Sequence, residues 1–264
     1  MKVLVEGEEE IGSTHLGQFL DRYQELLAAD VIVIADTGNW ELGVPTLTTS
    51  LRGLVDCVVE VRTLQYAVHS GSFGGAVPDA ITTLARLLAT LHDENGEVTV
   101  ADLVSEDETT LHLTEEQLRE QAETVAGVEL IGMGSITSRL WTKPAISVVA
   151  IDAPPIAEAI NQLVPMARAK INLRIAPGDD PQRAMAALQN HLEENVPWGA
   201  EISISPGATG AAFAGATEGR ACDAFREALT EAWGAPTAEM GIGGSIPFVA
   251  DLAARFPEAS ILLT

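Results

Sequence analysis

Residues Glu6-Gly7-Glu8-Glu9-Glu10-Ile11-Gly12-Ser13 follow the apolar run Val3, Leu4, Val5 and lead into a helical pattern, so carboxylates gather at a strand-to-helix elbow. Loops held by a rigid strand are where catalytic carboxylates commonly sit. Two adjacent carboxylates can divide the labour of a hydrolysis: one binds a cation, and its neighbour takes a proton from water on that cation. The competing reading is a solvated charge patch, which the position between an apolar strand and a Gly-Ser helix start disfavours. Asp36 closes a second apolar run, Val31 to Ile34, and either joins the pair or caps a turn before Gly38. His69 stands at the end of an alternating segment, just before Gly71-Ser72-Phe73-Gly74-Gly75, and an imidazole titrates near neutrality. The other histidines, His15, His92, His112 and His191, fall on helical or polar stretches and read as surface or hydrogen-bonded residues.

The elements that must position these groups follow from periodicity. Leu16, Phe19, Leu20, Tyr23 and Leu27 recur at helical spacing, with Ser13 or Thr14 placed as the cap. Val31 to Ile34 reads as a strand covered on both faces. Strand, helix, strand implies a parallel unit, whose ligands collect outside the carboxyl ends of the strands. Glu9, Glu10 and Asp36 all fall at such ends, so the spacing predicts that they lie close together.

From Leu51 the period changes. Val55, Cys57, Val59 and Val61 alternate with Asp56, Glu60 and Arg62, a strand with one wet face. The glycine-rich stretch 71–75 reads as a flexible loop, and Pro78 opens a helix carrying Ile81, Leu84, Leu88 and Leu91. Residues 93–108 read as a polar surface insertion, followed by a capping box at Thr114-x-x-Gln117. Strands at 145–151 and 169–175, a helix at 181–194 and a strand at 200–205 complete an antiparallel sheet with helices on one face, a split βαβ arrangement. Helices at 219–233 and 247–255 and a covered strand at 261–263 return to the first layer. The fold class is α/β: part of a parallel-sheet domain, 1–50 with 215–264, interrupted by an α+β, ferredoxin-like domain at 51–214.

Composition narrows the partners. The formal charge is −23, from 15 basic and 38 acidic residues among 264, with no basic cluster, so a nucleic-acid backbone would be repelled. No apolar stretch approaches the length of a membrane span, and no signal peptide is visible. Cys57 and Cys222 stand alone in apolar surroundings, which predicts reduced, buried thiols in the cytoplasm.

Taken together, Glu6-Gly-x-Glu9-Glu10-x-Gly-Ser13, Asp36, His69-Ser-Gly with Gly74-Gly75, Asn161 with Pro165 and Arg174, and Gly243-Gly244-Ser245-Ile246-Pro247 resemble the ordered landmarks of the M20 family of metallopeptidases, in particular its carnosinase-like cytosolic dipeptidases. The resemblance implies a dinuclear zinc hydrolase that cuts dipeptides or short peptides with a free C-terminus. Its catalytic domain would be interrupted by a lid that also forms a homodimer. Carried over, Glu9 would be the general base, Glu10 a ligand of one metal and Asp36 a ligand of the other. His69 would reach across the dimer to the developing oxyanion, and Asn161 would support it from the lid. Arg174, with Gly244 and Ser245, would hold the substrate's terminal carboxylate. An N-acyl-amino-acid amidohydrolase of the same family is the alternative, and a non-catalytic, dimerising peptide-binding module is the rival from another class.

The sequence departs from the family pattern at two points. It contains no His-x-Asp and no histidine after His191, whereas the family uses both for metal ligation. The resemblance therefore implies the middle of a longer enzyme. Alone, the chain is expected to bind zinc weakly, to hydrolyse peptides negligibly and still to self-associate through the lid.

Overall fold

The computed structural model describes all 264 residues. The strands are β1 (Val31–Ile34), β2 (Thr46–Leu51), β3 (Gly53–Arg62), β4 (Val68–His69), β5 (Ala145–Asp152), β6 (Gln162–Leu163), β7 (Met166–Ile175), β8 (Glu201–Gly210), β9 (Phe213–Ala214), β10 (Ala238–Ile242) and β11 (Ser260–Leu263). The helices are α1 (Leu16–Leu27), α2 (Ser70–Phe73), α3 (Ala80–Ala89), α4 (Glu115–Gln121), α5 (Ile136–Trp141), α6 (Pro181–Asn195), α7 (Arg220–Trp233) and α8 (Pro247–Arg255).

The first sheet runs β1-β11-β2-β10, with β9 added beside β2. It is mixed: β1 pairs β11 and β10 pairs β2 in parallel, whereas β11 meets β2 antiparallel. Leu16 and Leu20 of α1 and Val249 and Leu252 of α8 close over it with Ile34, Ile261 and Leu263. The sequence strand at Val3–Val5 does not form. It has no ladder partner, and Val3 and Val5 stay 76% and 85% exposed. For the same reason β1 is an edge strand, paired on one side only, with Val31 and Val33 half exposed rather than covered. Helix α1 begins at Leu16 with His15 as an N-cap that makes no side-chain capping bond, so neither Ser13 nor Thr14 has that role.

The second sheet is antiparallel in the order β5-β7-β3-β8. Strand, helix, strand, strand, helix, strand follow one another along β3, α3, β5, β7, α6 and β8, the split βαβ pattern. Period-2 alternation aims Val55, Cys57, Val59 and Val61 of β3 and Ala169, Ile171, Leu173 and Ile175 of β7 at one face. There they meet Leu84, Leu87 and Leu91 near α3 and Ala184, Met185, Leu188 and Leu192 of α6. Both helices start where the chain supplies a carboxylate cap: Asp79 accepts from the Thr82 amide at 2.8 Å and Asp180 from Arg183 at 2.8 Å. The Thr114–Gln117 capping box forms as the spacing predicts, opening α4. The glycine-rich stretch after His69 is not all loop: Ser70–Phe73 make one helical turn. On the outer face of β3, buried Asp56 pairs with Lys170 at 3.2 Å and accepts from the Ala208 amide at 3.1 Å. A Cβ at Gly207 would fall 1.8 Å from that carboxylate, so only glycine fits.

Candidate functional site

The acidic elbow is a single 3-10 turn, Glu9–Ile11, closed by Gly12 at φ 90°. That left-handed conformation suits glycine and turns the chain into α1. Glu6 fixes the turn from inside, accepting from the Glu8 amide at 2.9 Å and from the Ser13 hydroxyl at 3.2 Å. Glu8 faces the His15 ring at 2.9 Å on the surface, and that hydrogen bond holds its carboxyl below the usual range.

Glu9 behaves in the opposite sense. Its carboxyl is raised by desolvation first, and then by the negative charges of Asp36, Glu10 and Glu6. Asp36 is therefore near enough for its charge to register at Glu9, although 27 positions separate them in the chain. Glu6, Glu9 and Asp36 also line one trough of about 950 Å³, whose walls are otherwise mainly apolar, from the Val3–Val5 and β1 segments and from α1 and α8, with Lys2 and Asp30 also on its lining. Glu10 is exposed and lies outside that wall, contributing charge from the rim. Crowded carboxylates of this kind raise one another's proton affinity and attract cations.

His69 and Asn161 form a second group, away from the elbow in sequence and joined by the short β4–β6 ladder, where His69 pairs with Gln162. The Ser70 amide donates to the Asn161 carbonyl at 3.0 Å. The His69 ring accepts the Gly71 amide on Nδ1 at 3.1 Å, which leaves the ring proton on Nε2. The exposed imidazole thus presents an N–H donor to its surroundings.

Arg174 and Ser245 form the third. Arg174 lies on β7 opposite Leu54 and donates from Nη1 to Ser245 Oγ at 3.3 Å, so one contact joins the two sheets. Ser245 sits in the loop between β10 and α8, where Pro247 opens the helix. Gly244 has room for a side chain, with its nearest neighbour at 3.8 Å. The demanding position is Gly243, where a Cβ would come within 2.7 Å of the Leu140 carbonyl and 2.8 Å of Arg52. The sequence reading named Gly243 only within its glycine motif, singling out Gly244 instead, and did not mention Arg52.

The peptidase dimerisation domain of the M20 family matches residues 49–200. The chain belongs to the M20 peptidase family. Over its whole length this M20 chain is 35% identical to a cysteinylglycine-S-conjugate dipeptidase of Corynebacterium striatum, of which it spans 59%. Its fold is that of human carnosine dipeptidase 1, at a TM-score of 0.75 with 22% identity over 97% of this chain and 57% of that one. It is also that of the Sulfolobus solfataricus M20 metallo-carboxypeptidase Sso-CP2, at a TM-score of 0.77 with 19% identity over 98% and 60%. The chain thus spans less than two thirds of the length of these relatives.

The M20 relatives include metallodipeptidases, which makes the fit of a metal a question for this chain's own residues. Carboxylate oxygens suit a divalent cation. No group of three or more His, Cys, Asp or Glu side chains is assembled closely enough to hold one, whereas a catalytic zinc takes about three protein ligands. The residues of this chain do not by themselves make that shell.

Proposed function

We propose that this M20 chain carries part of the apparatus of a dipeptidase acting on dipeptides or short peptides with a free C-terminus. The convergence of Glu9 and Asp36 on one trough, at the ends of two apolar segments, is the observation that carries this reading. In it Glu9, whose raised carboxyl is the better proton acceptor, is the general base. Glu10 and Asp36 contribute ligands to two divalent metals, zinc in the first instance, whose shells need groups beyond those assembled here. His69 Nε2 and Asn161 face the developing oxyanion, and Arg174 with Ser245 and the Gly244 backbone holds the substrate's carboxylate. Residues 1–50 and 215–264 form the catalytic part and 51–214 the lid. Cytoplasmic residence belongs to the same proposal, supported by two free, buried cysteines, and no helix is long and apolar enough to cross a membrane.

The purified chain, supplied with Zn2+ or Mn2+, is expected to bind a dipeptide such as Cys-Gly but to cleave it negligibly. Turnover at about 1 s⁻¹ or faster would overturn the assignment of an incomplete metal shell, and absence of any dipeptide binding would count against the dipeptidase reading itself.

The same reading makes the lid the seat of a homodimer. The β5 edge leaves Val148, Val149 and Ile151 exposed at 40%, 55% and 61%. Sedimentation equilibrium is expected to return twice the chain mass, with Val149→Lys shifting it towards the monomer; a monomer at every concentration would contradict the dimer.

A further inference from the structure

Arg52 is 93% buried at the junction of the two sheets, yet no carboxylate pairs with it. Its Nε donates to the Gly243 carbonyl at 3.2 Å, and its Nη1 to the carbonyls of Arg139 and Lys143 at 3.3 Å each. Its own backbone amide donates to Ile242 at 3.1 Å. One side chain therefore ties the loop that carries Ser245 to the end of α5. Nη2 makes no hydrogen bond to the protein and faces the space at Gly243 that a Cβ would fill. The charged group that registers at Arg52 is another cation, Arg174; with burial as the larger cause, it holds the Arg52 guanidinium down to about 10. Arg174 likewise has a hydroxyl, not a carboxylate, as its side-chain partner. A buried cation without a counter-charge is costly unless hydrogen bonds or an anion compensate it. Here three carbonyls do part of that, and two like charges are kept beside one loop in a chain whose overall charge is −23.

We propose that Arg52 is a positioning residue for carboxylate recognition: it pins the Gly243–Ser245 loop against Arg174 and adds a second positive charge to the place where the peptide's terminal carboxylate binds. This rests on the reading of Arg174 and Ser245 as the carboxylate site. The anion compensates both guanidiniums at once, so the site discriminates a free carboxylate from its amide more sharply than Arg174 alone would. Arg52 acts through the loop and the local potential, without touching the scissile bond.

The test compares Ala-Ala with Ala-Ala amide, binding each to the full chain by NMR titration. Arg52→Met is expected to lower the preference for the acid about tenfold, and Arg52→Lys, which keeps the charge, to lower it about threefold or less. A purely architectural role would weaken both ligands alike, and that result would overturn the proposal, as would an unchanged preference in a folded Arg52→Met. A measurement on the unaltered chain decides the matter if Arg52→Met does not fold: the Arg52 Nε–H resonance should shift with Ala-Ala and not with the amide, and no shift would refute the proposal. If Arg174→Met abolishes the preference while Arg52 variants and the Arg52 resonance do not respond, this inference fails and the carboxylate site stands. If none of them matters, the carboxylate site itself is wrong.

Discussion

Arg174→Met is expected to weaken binding of a dipeptide about a hundredfold, while the affinity for the same dipeptide's C-terminal amide changes about threefold or less. The guanidinium reaches Ser245 across the sheet junction, and a planar fork meeting a carboxylate makes two charge-assisted hydrogen bonds that an amide cannot match. A hundredfold corresponds to about 2.7 kcal/mol, within the range for removing one partner of a desolvated charge pair. Arg174 carries no structural ion pair, so the variant should keep its fold. Calorimetric titration of acid and amide against both proteins checks this, and equal losses for the two ligands would show that Arg174 supports the loop instead of reading the carboxylate.

The second large effect concerns what holds Arg174 in place. Ile171 lies three residues before it on β7, fully buried between β3, β5 and the helices above them. Ile171→Ala is expected to destabilise the protein by about 3–4 kcal/mol, through lost burial plus the cavity left in a sheet that cannot collapse around it. Urea unfolding followed by circular dichroism gives the number. Because Arg174 is on the opposite face of the strand from Ile171, the folded fraction should bind Ala-Ala as before. A loss below about 1 kcal/mol would mean that the core between β7 and its helices is looser than its burial indicates.

Much of the second sheet was legible in the sequence because its signals are local. Alternation along 55–61 and 169–175, the apolar residues at helical spacing after Pro78, and the Thr114–Gln117 box each fix an element without reference to the rest of the fold, although the carboxylate caps Asp79 and Asp180 went unread. The first sheet was harder. β2 reads Thr46-Leu-Thr-Thr-Ser-Leu, too polar to announce a buried strand, yet Thr46 and Thr48 are buried because neighbours satisfy their hydroxyls: Thr46 donates to Val44 and accepts from the Trp40 amide, and Thr48 donates to Thr37. β10 is short and broken by a bulge at Met240 and Gly241, which hides its period. Val3–Val5 failed for the converse reason: apolar, β-favouring residues make a strand only where another strand offers its backbone.

The candidate site divides in the same way. Glu9, Asp36 and Arg174 stand at element ends, where short motifs are visible. Arg52 was invisible because nothing about an isolated arginine in Leu51-Arg52-Gly53 tells that three distant carbonyls converge on it. Likewise the glycine that the loop requires, Gly243, could not be told from Gly244 without knowing that the Leu140 carbonyl passes beside it.

The convergence of the acidic elbow and Asp36 on one trough, enough to draw a divalent cation weakly without completing its shell, is tested most directly by adding Mn2+ to the isotopically labelled chain and mapping the paramagnetic broadening of its amide resonances. Glu9 to Gly12 and Asp36 to Thr37 should broaden together at one Mn2+ concentration. Affinity should increase as pH rises through the range where the raised Glu9 carboxyl loses its proton, and Asp36→Asn should abolish the response at both segments. Broadening confined to the acidic stretch Asp93 to Glu108, or two segments responding at unrelated concentrations, would contradict it.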